Sequence, residues 1–252
     1  MYNKNIYLKL GEFASNYEHS KFINEVRNYF NWIYSKKEMD YIGLKLQIVN
    51  KRRLGSRPMY LHGYIISSSL QKYINTNKIK DITIFETGTA RGFSSIIMAH
   101  VLQKNSISGK IHTIDFLDHF SPNYSNCLLA SELNRKVSRK ECLNEWSLLS
   151  EKYINFLSGD SNNIIDNMEL DRINFAFLDG SHEYKSIVKE LKFVSKRQLS
   201  GDIIVCDDYT KTQFPEICKA IDEFLSIGEY KSKFFYGNDG IKERGYVYMV
   251  KI

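Results

Sequence analysis

The sequence predicts an α/β fold: a doubly wound, mainly parallel sheet of seven strands, with an antiparallel C-terminal hairpin and a helical N-terminal appendage. Three observations predict it. From about residue 82 short β-type runs alternate with amphipathic stretches, the pattern of a mainly parallel sheet. The run IFETGTARGFSS (84–95) carries an apolar strand through two glycines into a helix. The chain closes on two aromatic β-type runs separated by Asn238-Asp239-Gly240, which reads as an edge hairpin.

Residues 1–75 are aromatic-rich and mostly helical in pattern, with Ile66, Leu70, Tyr73 and Ile74 forming an amphipathic piece. The basic stretch KRRLGSRP (51–58) interrupts them. They predict a helical appendage that packs on a sheet domain spanning 76–252. The aromatic load at Tyr29, Phe30, Trp32 and Tyr34 points to a homo-oligomer contact or to a cover over the site. Strands are expected at ITIFE (82–86), KIHTID (110–115), INFL (154–157), INFAFLD (173–179) and DIIVCDD (202–208). A helix follows the first of them at 93–103. Ile187, Leu191 and Val194 recur at helical spacing within 184–199. Ile217, Ile221, Phe224 and Leu225 do the same within 215–227. Residues 116–150 exceed an ordinary connection, so an insertion at the sheet's carboxyl edge is expected, with the role of a lid or substrate loop. YKSKFFYG (230–237) and RGYVYMVKI (244–252) supply the hairpin.

Composition narrows the classes. At 252 residues, 43% hydrophobic and 25% charged, the chain reads as a soluble globular protein. No apolar run approaches the ~20 residues of a membrane helix, and MYNKNIYLKL lacks the apolar centre of a signal peptide. Cys127, Cys142, Cys206 and Cys218 form no CxxC pair and read as reduced thiols, so a cytoplasmic enzyme is expected. A net charge of 35 − 29 = +6 is mild; it suits an anionic small molecule better than nucleic acid.

The strand ends carry the chemistry. The turn Glu-x-Gly-x-x-x-Gly (Glu86, Gly88, Gly92) opens a helix N-terminus above the sheet's carboxyl edge, where open α/β sheets bind ligands. It lacks the middle glycine that admits a pyrophosphate. Asp115 ends the second strand, 23 residues after Gly92, placed to accept from a ribose diol or to sit as a plain loop Asp. Asp160 and Ser161 follow the third strand; either can bond an adenine amine or cap the next helix. Asp179 ends the fourth strand and Asp207-Asp208 the fifth. Three converging carboxylates repel unless a cation neutralises them or one stays protonated. All-oxygen ligands suit Mg²⁺, with Mn²⁺ or Ca²⁺ as alternatives; separate helix-capping roles are the bland reading. His182, three residues after Asp179, is placed in the first turn of the next helix. It is either a general base or a solvent-facing side chain beside Glu183.

Together these residues resemble class I S-adenosylmethionine-dependent methyltransferases, and more closely the metal-dependent O-methyltransferases of the catechol and macrocin/sugar types. The resemblance covers residues 82–252, about two-thirds of the chain. It implies a Rossmann-like fold with Glu86, Gly88, Thr89, Gly92 and Ser94 around the methionine part of the cofactor. It also implies Asp115 on the ribose, Asp160 or Ser161 beside the adenine, and Asp179, Asp207 and Asp208 on Mg²⁺. In the catechol branch a lysine base lies three residues after the first metal Asp, where this chain has His182. The sugar branch has an Asp two residues after it, where this chain has Ser181.

The implied reaction is in-line methyl transfer to a hydroxyl of a small molecule such as a sugar or surface-polysaccharide precursor, with a phosphoryl-type oxygen as the lesser alternative. Lys51, Arg52, Arg53 and Arg57 either receive an anionic acceptor or form a solvated basic loop. A nicotinamide-dependent oxidoreductase is the first competing class. Against it, Thr89-Ala90-Arg91 replaces the glycine it needs, and the strand-end aspartates are left without a purpose. A nucleic-acid methyltransferase or binding module is the second. It calls for a concentrated basic face and an Asn/Asp-Pro-Pro-Tyr-like segment, and the sequence has neither. No nucleic-acid partner and no membrane insertion are expected.

Overall fold

Seven strands form one sheet in the order β5-β4-β3-β6-β7-β9-β8 in the computed structural model, which describes residues 3–17, 19–51, 55–57, 60–238 and 242–252. Its elements are β3 (Asp81–Thr87), β4 (Ser108–Asp115), β5 (Ile154–Ser158), β6 (Phe175–Leu178), β7 (Ile203–Cys206), β8 (Tyr230–Asn238) and β9 (Glu243–Lys251). β3 to β7 are parallel; β9 runs antiparallel between β7 and β8. The chain fills one side of β3 with β4 and β5, then returns to its other side with β6. That reversal makes the crevice between β3 and β6 a topological switch point, where such sheets bind ligands.

Alternation along the strands divides the core in two. Ile84, Phe175, Phe177, Ile203 and Val205 face one apolar cluster, while Phe85, Ala176, Leu178, Ile204 and Cys206 face the other. The second face is covered by α9 (Ser161–Asp166), α10 (Tyr184–Ser195) and α11 (Pro215–Ser226), whose buried Ile187, Leu191, Val194, Ile217 and Ile221 realise the expected helical spacing. The first face is covered by α5 (Phe93–Lys104) and by residues from the N-terminal third.

That third contains α1 (Lys4–Asn16), α2 (Ser20–Phe30), α3 (Lys36–Leu46), a short antiparallel pair β1 (Val49–Lys51) and β2 (Gly55–Arg57), and α4 (Leu61–Asn77). Every residue of α4 from Leu61 to Gln71 is buried, so it is a central helix rather than an amphipathic one, and the expected boundary at 75/76 falls inside it. The hydroxyls of Ser67 and Ser69 donate back to the carbonyls of Gly63 and Ile65 (2.6 and 2.7 Å), which satisfies them without water. Of the aromatics read as an oligomer contact or cover, Phe30 and Tyr34 are buried, Tyr29 and Phe30 pack on Phe235 and Tyr248 of the C-terminal hairpin, and Tyr29 keeps an exposed edge.

The insertion 116–150 begins with exposed residues at the cleft and then packs into the core. It contains α6 (Leu128–Leu133), α7 (Arg139–Cys142), one 3₁₀ turn (Asn144–Trp146) and the start of α8 (Ser147–Tyr153). Tyr124, Cys127, Leu128, Val137, Leu143 and Trp146 are buried in the same cluster as α4 and α5. All four cysteines are buried free thiols. Arg52, Arg53, Asp239 and Gly240 lie outside the described residues, as do the side chains of Lys51 and Arg57. β8 and β9 pair as far as Asn238 with Glu243. Among the described residues, no helix is long and apolar enough to cross a membrane.

Candidate functional site

The carboxyl ends of β3, β4, β6 and β7 are stapled together by backbone bonds that continue the sheet. The N–H of Gly88 donates to Ile114 O (2.9 Å), that of Asp179 to Thr87 O (3.1 Å), and that of Asp207 to Leu178 O (3.1 Å). Gly88 has φ +87°, and a Cβ there would collide with the carbonyl of Asp179. A side chain at this position would therefore force β3 and β6 apart. Gly92, at φ +92°, precedes the first turn of α5, whose cap makes no side-chain hydrogen bond. The helix N-terminus is thus left to the turn and to a ligand.

A cleft of about 270 Å³ opens beside this turn. Thr87, Gly88, Asp115, Phe116, Asp160 and Ser161 are among the residues that line it. Asp115 is already engaged: one oxygen accepts from the Ala90 N–H (2.7 Å), the other from Leu117 N–H (2.7 Å), and Arg139 Nη2 lies 3.2 Å away. Asp160 caps α9 through Asn162 N–H (2.9 Å) while facing the cleft. Ser161 donates to Glu190 (2.8 Å). The other candidates sit behind the turn. Glu86 is fully buried and accepts from Ser94 and Ser95; burial pushes its carboxyl above the usual range, against the pull of these hydroxyls and Thr113. The Thr89 hydroxyl is paired with that of Thr113. Glu86, Thr89 and Ser94 therefore shape the loop from beneath.

Next to the cleft stands the acidic cluster, and Gly180 and Ser181 line both the cleft and a small cavity of about 20 Å³ beside the cluster. Asp179, His182 and Asp208 each bring one ligating atom within 4.8 Å of the others. Asp207 is outside this group. The strand ends at Cys206, and Asp208 adopts φ +59°, so the two neighbouring carboxylates part; Asp207 is buried and accepts the Asp208 N–H (2.6 Å). Burial, then the Asp208 charge, pushes Asp207 up to about 8. Burial and the neighbouring carboxylates raise Asp179 well above its usual range.

His182 lies in the loop two residues before α10 rather than in its first turn, half-exposed against Phe214 (4.6 Å between ring centroids), with Nε2 3.3 Å from Asp208 Oδ2. The other oxygen, Oδ1, accepts from Arg244 Nη1 at 3.0 Å. Asp207 still lines the same small cavity as Asp179, His182 and Asp208, but the three atoms that converge include an imidazole, and Arg244 already bonds one Asp208 oxygen, so the group differs from the all-oxygen triad expected for Mg²⁺. The residues as arranged fit a hard divalent ion poorly.

Four further residues belong to this region. Arg139, fully buried on α7, donates from Nε to Ala90 O (2.6 Å) and from Nη2 to Tyr124 OH (3.1 Å) while pairing with Asp115. Glu190 accepts from Thr87 (3.0 Å) as well as Ser161, and burial pushes it up to about 7. Arg244 comes from β9. His62, at the start of α4, stacks parallel on Phe177 (5.9 Å); burial, then Arg244, pushes its imidazole down to about 3. Only Glu190 left a trace in the sequence, since it shares the helical face of Ile187, Leu191 and Val194.

Residues 85–209 match the family described as a methyltransferase domain. Solved structures of similar fold include the O-methyltransferase TomG from Streptomyces achromogenes, involved in tomaymycin synthesis and in complex with SAM. It is 13% identical with TM-score 0.58, over 93% of this chain and 99% of that one. The O-methyltransferase NovP is 20% identical with TM-score 0.53, over 74% and 77%. An O-methyltransferase from Bacillus cereus in complex with SAH is 14% identical with TM-score 0.51, over 73% and 79%. No curated protein matches the chain.

Proposed function

From the match of residues 85–209 to a methyltransferase domain and the likeness of the fold to solved O-methyltransferases, we propose that this chain moves the methyl group of S-adenosylmethionine to an oxygen of a small acceptor. The cofactor occupies the cleft at Gly88, its ribose toward Asp115 and its adenine toward Phe116, Asp160 and Ser161. The methyl group then faces Gly180 and Ser181, and through them the cluster of Asp179, His182 and Asp208. That shared wall is the observation that supports the reading, because a methyl group held in the cleft would lie next to the cavity that His182 lines.

The methyl is already activated, so the protein contributes alignment and electrostatics. The acceptor hydroxyl attacks in line as His182 takes its proton; Asp208 orients the imidazole and stabilises the imidazolium. No step runs through a metal ion. The acceptor is a sugar hydroxyl in this reading, since clustered carboxylates suit hydroxyl donors. The class of acceptor is tested by incubating the protein with methyl-labelled S-adenosylmethionine and panels of sugars, nucleotide sugars, phenols and RNA. Label is expected in a sugar-bearing acceptor. Label in phenols would move the acceptor to the catechol class, and label in RNA would end the small-molecule reading. Wild-type rate in His182→Ala would remove the base.

A further inference from the structure

Resting on that reading of the site, we infer that Arg244 is the resident counter-cation of the carboxylate cluster and supplies the positive charge a divalent ion would otherwise bring, so that the site works without a metal. Converging carboxylates need positive charge or protonation to coexist. Arg244 provides the charge from within the chain: its guanidinium is nearly fully buried and bonded to Asp208 Oδ1. It lies close enough to Asp179 and Asp207 to act on both, and to His62 across the site. A guanidinium is always charged and cannot be withdrawn by a chelator.

The backbone is built to deliver it. Arg244 precedes Gly245, where a Cβ would collide with the carbonyl of Tyr209, and the N–H of Tyr209 donates to Gly245 O (2.8 Å). β9 is thus pressed against the segment that leaves β7, one residue from Asp208. Asp208 holds a left-handed conformation at φ +59°, with its carboxylate between Arg244 on one side and His182 on the other. An ion entering here would share Asp208 with Arg244 and would lie close to a fixed positive charge.

The test needs no acceptor. Mn²⁺ alone is titrated into the full chain and into Arg244→Gln and Arg244→Lys, with free Mn²⁺ read by its paramagnetic resonance signal. The wild type and Arg244→Lys are expected to leave Mn²⁺ unbound to about 1 mM. Arg244→Gln is expected to bind at least about 10-fold more tightly, because a like charge within a few ångströms has gone. Wild-type protein that holds Mn²⁺ stoichiometrically at tens of micromolar overturns the inference, as does Arg244→Gln binding no more tightly than wild type. Calorimetry with S-adenosylhomocysteine on the same samples reports folding of each variant. It also keeps the two ideas apart: a wild type that binds neither nucleoside nor Mn²⁺ loses the cofactor reading, while the wild-type Mn²⁺ result judges Arg244 whether or not a variant folds.

Discussion

Gly88 has no room for a side chain and no substitute for its positive φ, since any Cβ meets the Asp179 carbonyl. Gly88→Ala is therefore expected to weaken S-adenosylhomocysteine binding by at least about 10-fold, through displacement of the turn from β6. Calorimetry beside a circular dichroism melt checks it, and unchanged affinity contradicts it. Glu190 makes a pH prediction. Its carboxyl titrates near 7 when folded, above its usual value, so the folded chain holds that proton more tightly than the unfolded one. The stabilisation is complete below about pH 4 and is lost as pH rises toward 7. Glu190→Gln should therefore gain melting temperature relative to wild type at pH 8, with the gap closing at pH 4. A gap that widens on acidification would show the opposite sign.

Among elements, the insertion and the C-terminal hairpin contribute most that the sequence did not announce. α7 clasps the turn between Gly88 and Gly92 through Arg139, whose guanidinium ties Ala90 O, Tyr124 OH and Asp115 together. Removing one member of such a pair strands a buried charge, so Arg139→Met should cost about 3 kcal/mol of stability. It should also raise the dissociation constant for S-adenosylhomocysteine and speed hydrogen exchange in 116–150. If exchange there is unchanged, the insertion moves independently of the site. Gly245→Ala tests the hairpin: pushing β9 off the Tyr209 carbonyl should lower kcat with little change in cofactor affinity, because it moves Arg244 and Asp208 rather than the cleft. Length alone marked the insertion, whereas the joining of its apolar side chains to the core under α4 and α5 left no such signal.

Across the whole molecule, what was legible followed from local pattern. Each parallel strand is an apolar run closed by a polar or acidic residue, so β3 to β7 and the edge hairpin could be read directly, and with them the positions of Gly88, Asp115, Asp160 and Asp179. What was not legible depends on partners distant in the chain. Arg139 and Arg244 are ordinary basic residues until tertiary contacts bury them beside Asp115 and Asp208, 24 and 36 residues away in sequence. The choice between Asp207 and Asp208 turned on one backbone conformation, which no spacing rule encodes. The proposal that rests on this geometry is a nucleoside site at the switch point between β3 and β6. The most direct test is calorimetric titration of S-adenosylmethionine, and separately NAD, into the wild-type chain. One site per chain with a dissociation constant on the order of micromolar for S-adenosylmethionine, and no heat with NAD, is the predicted result. A folded protein that gives heat with NAD, or none with S-adenosylmethionine, contradicts it.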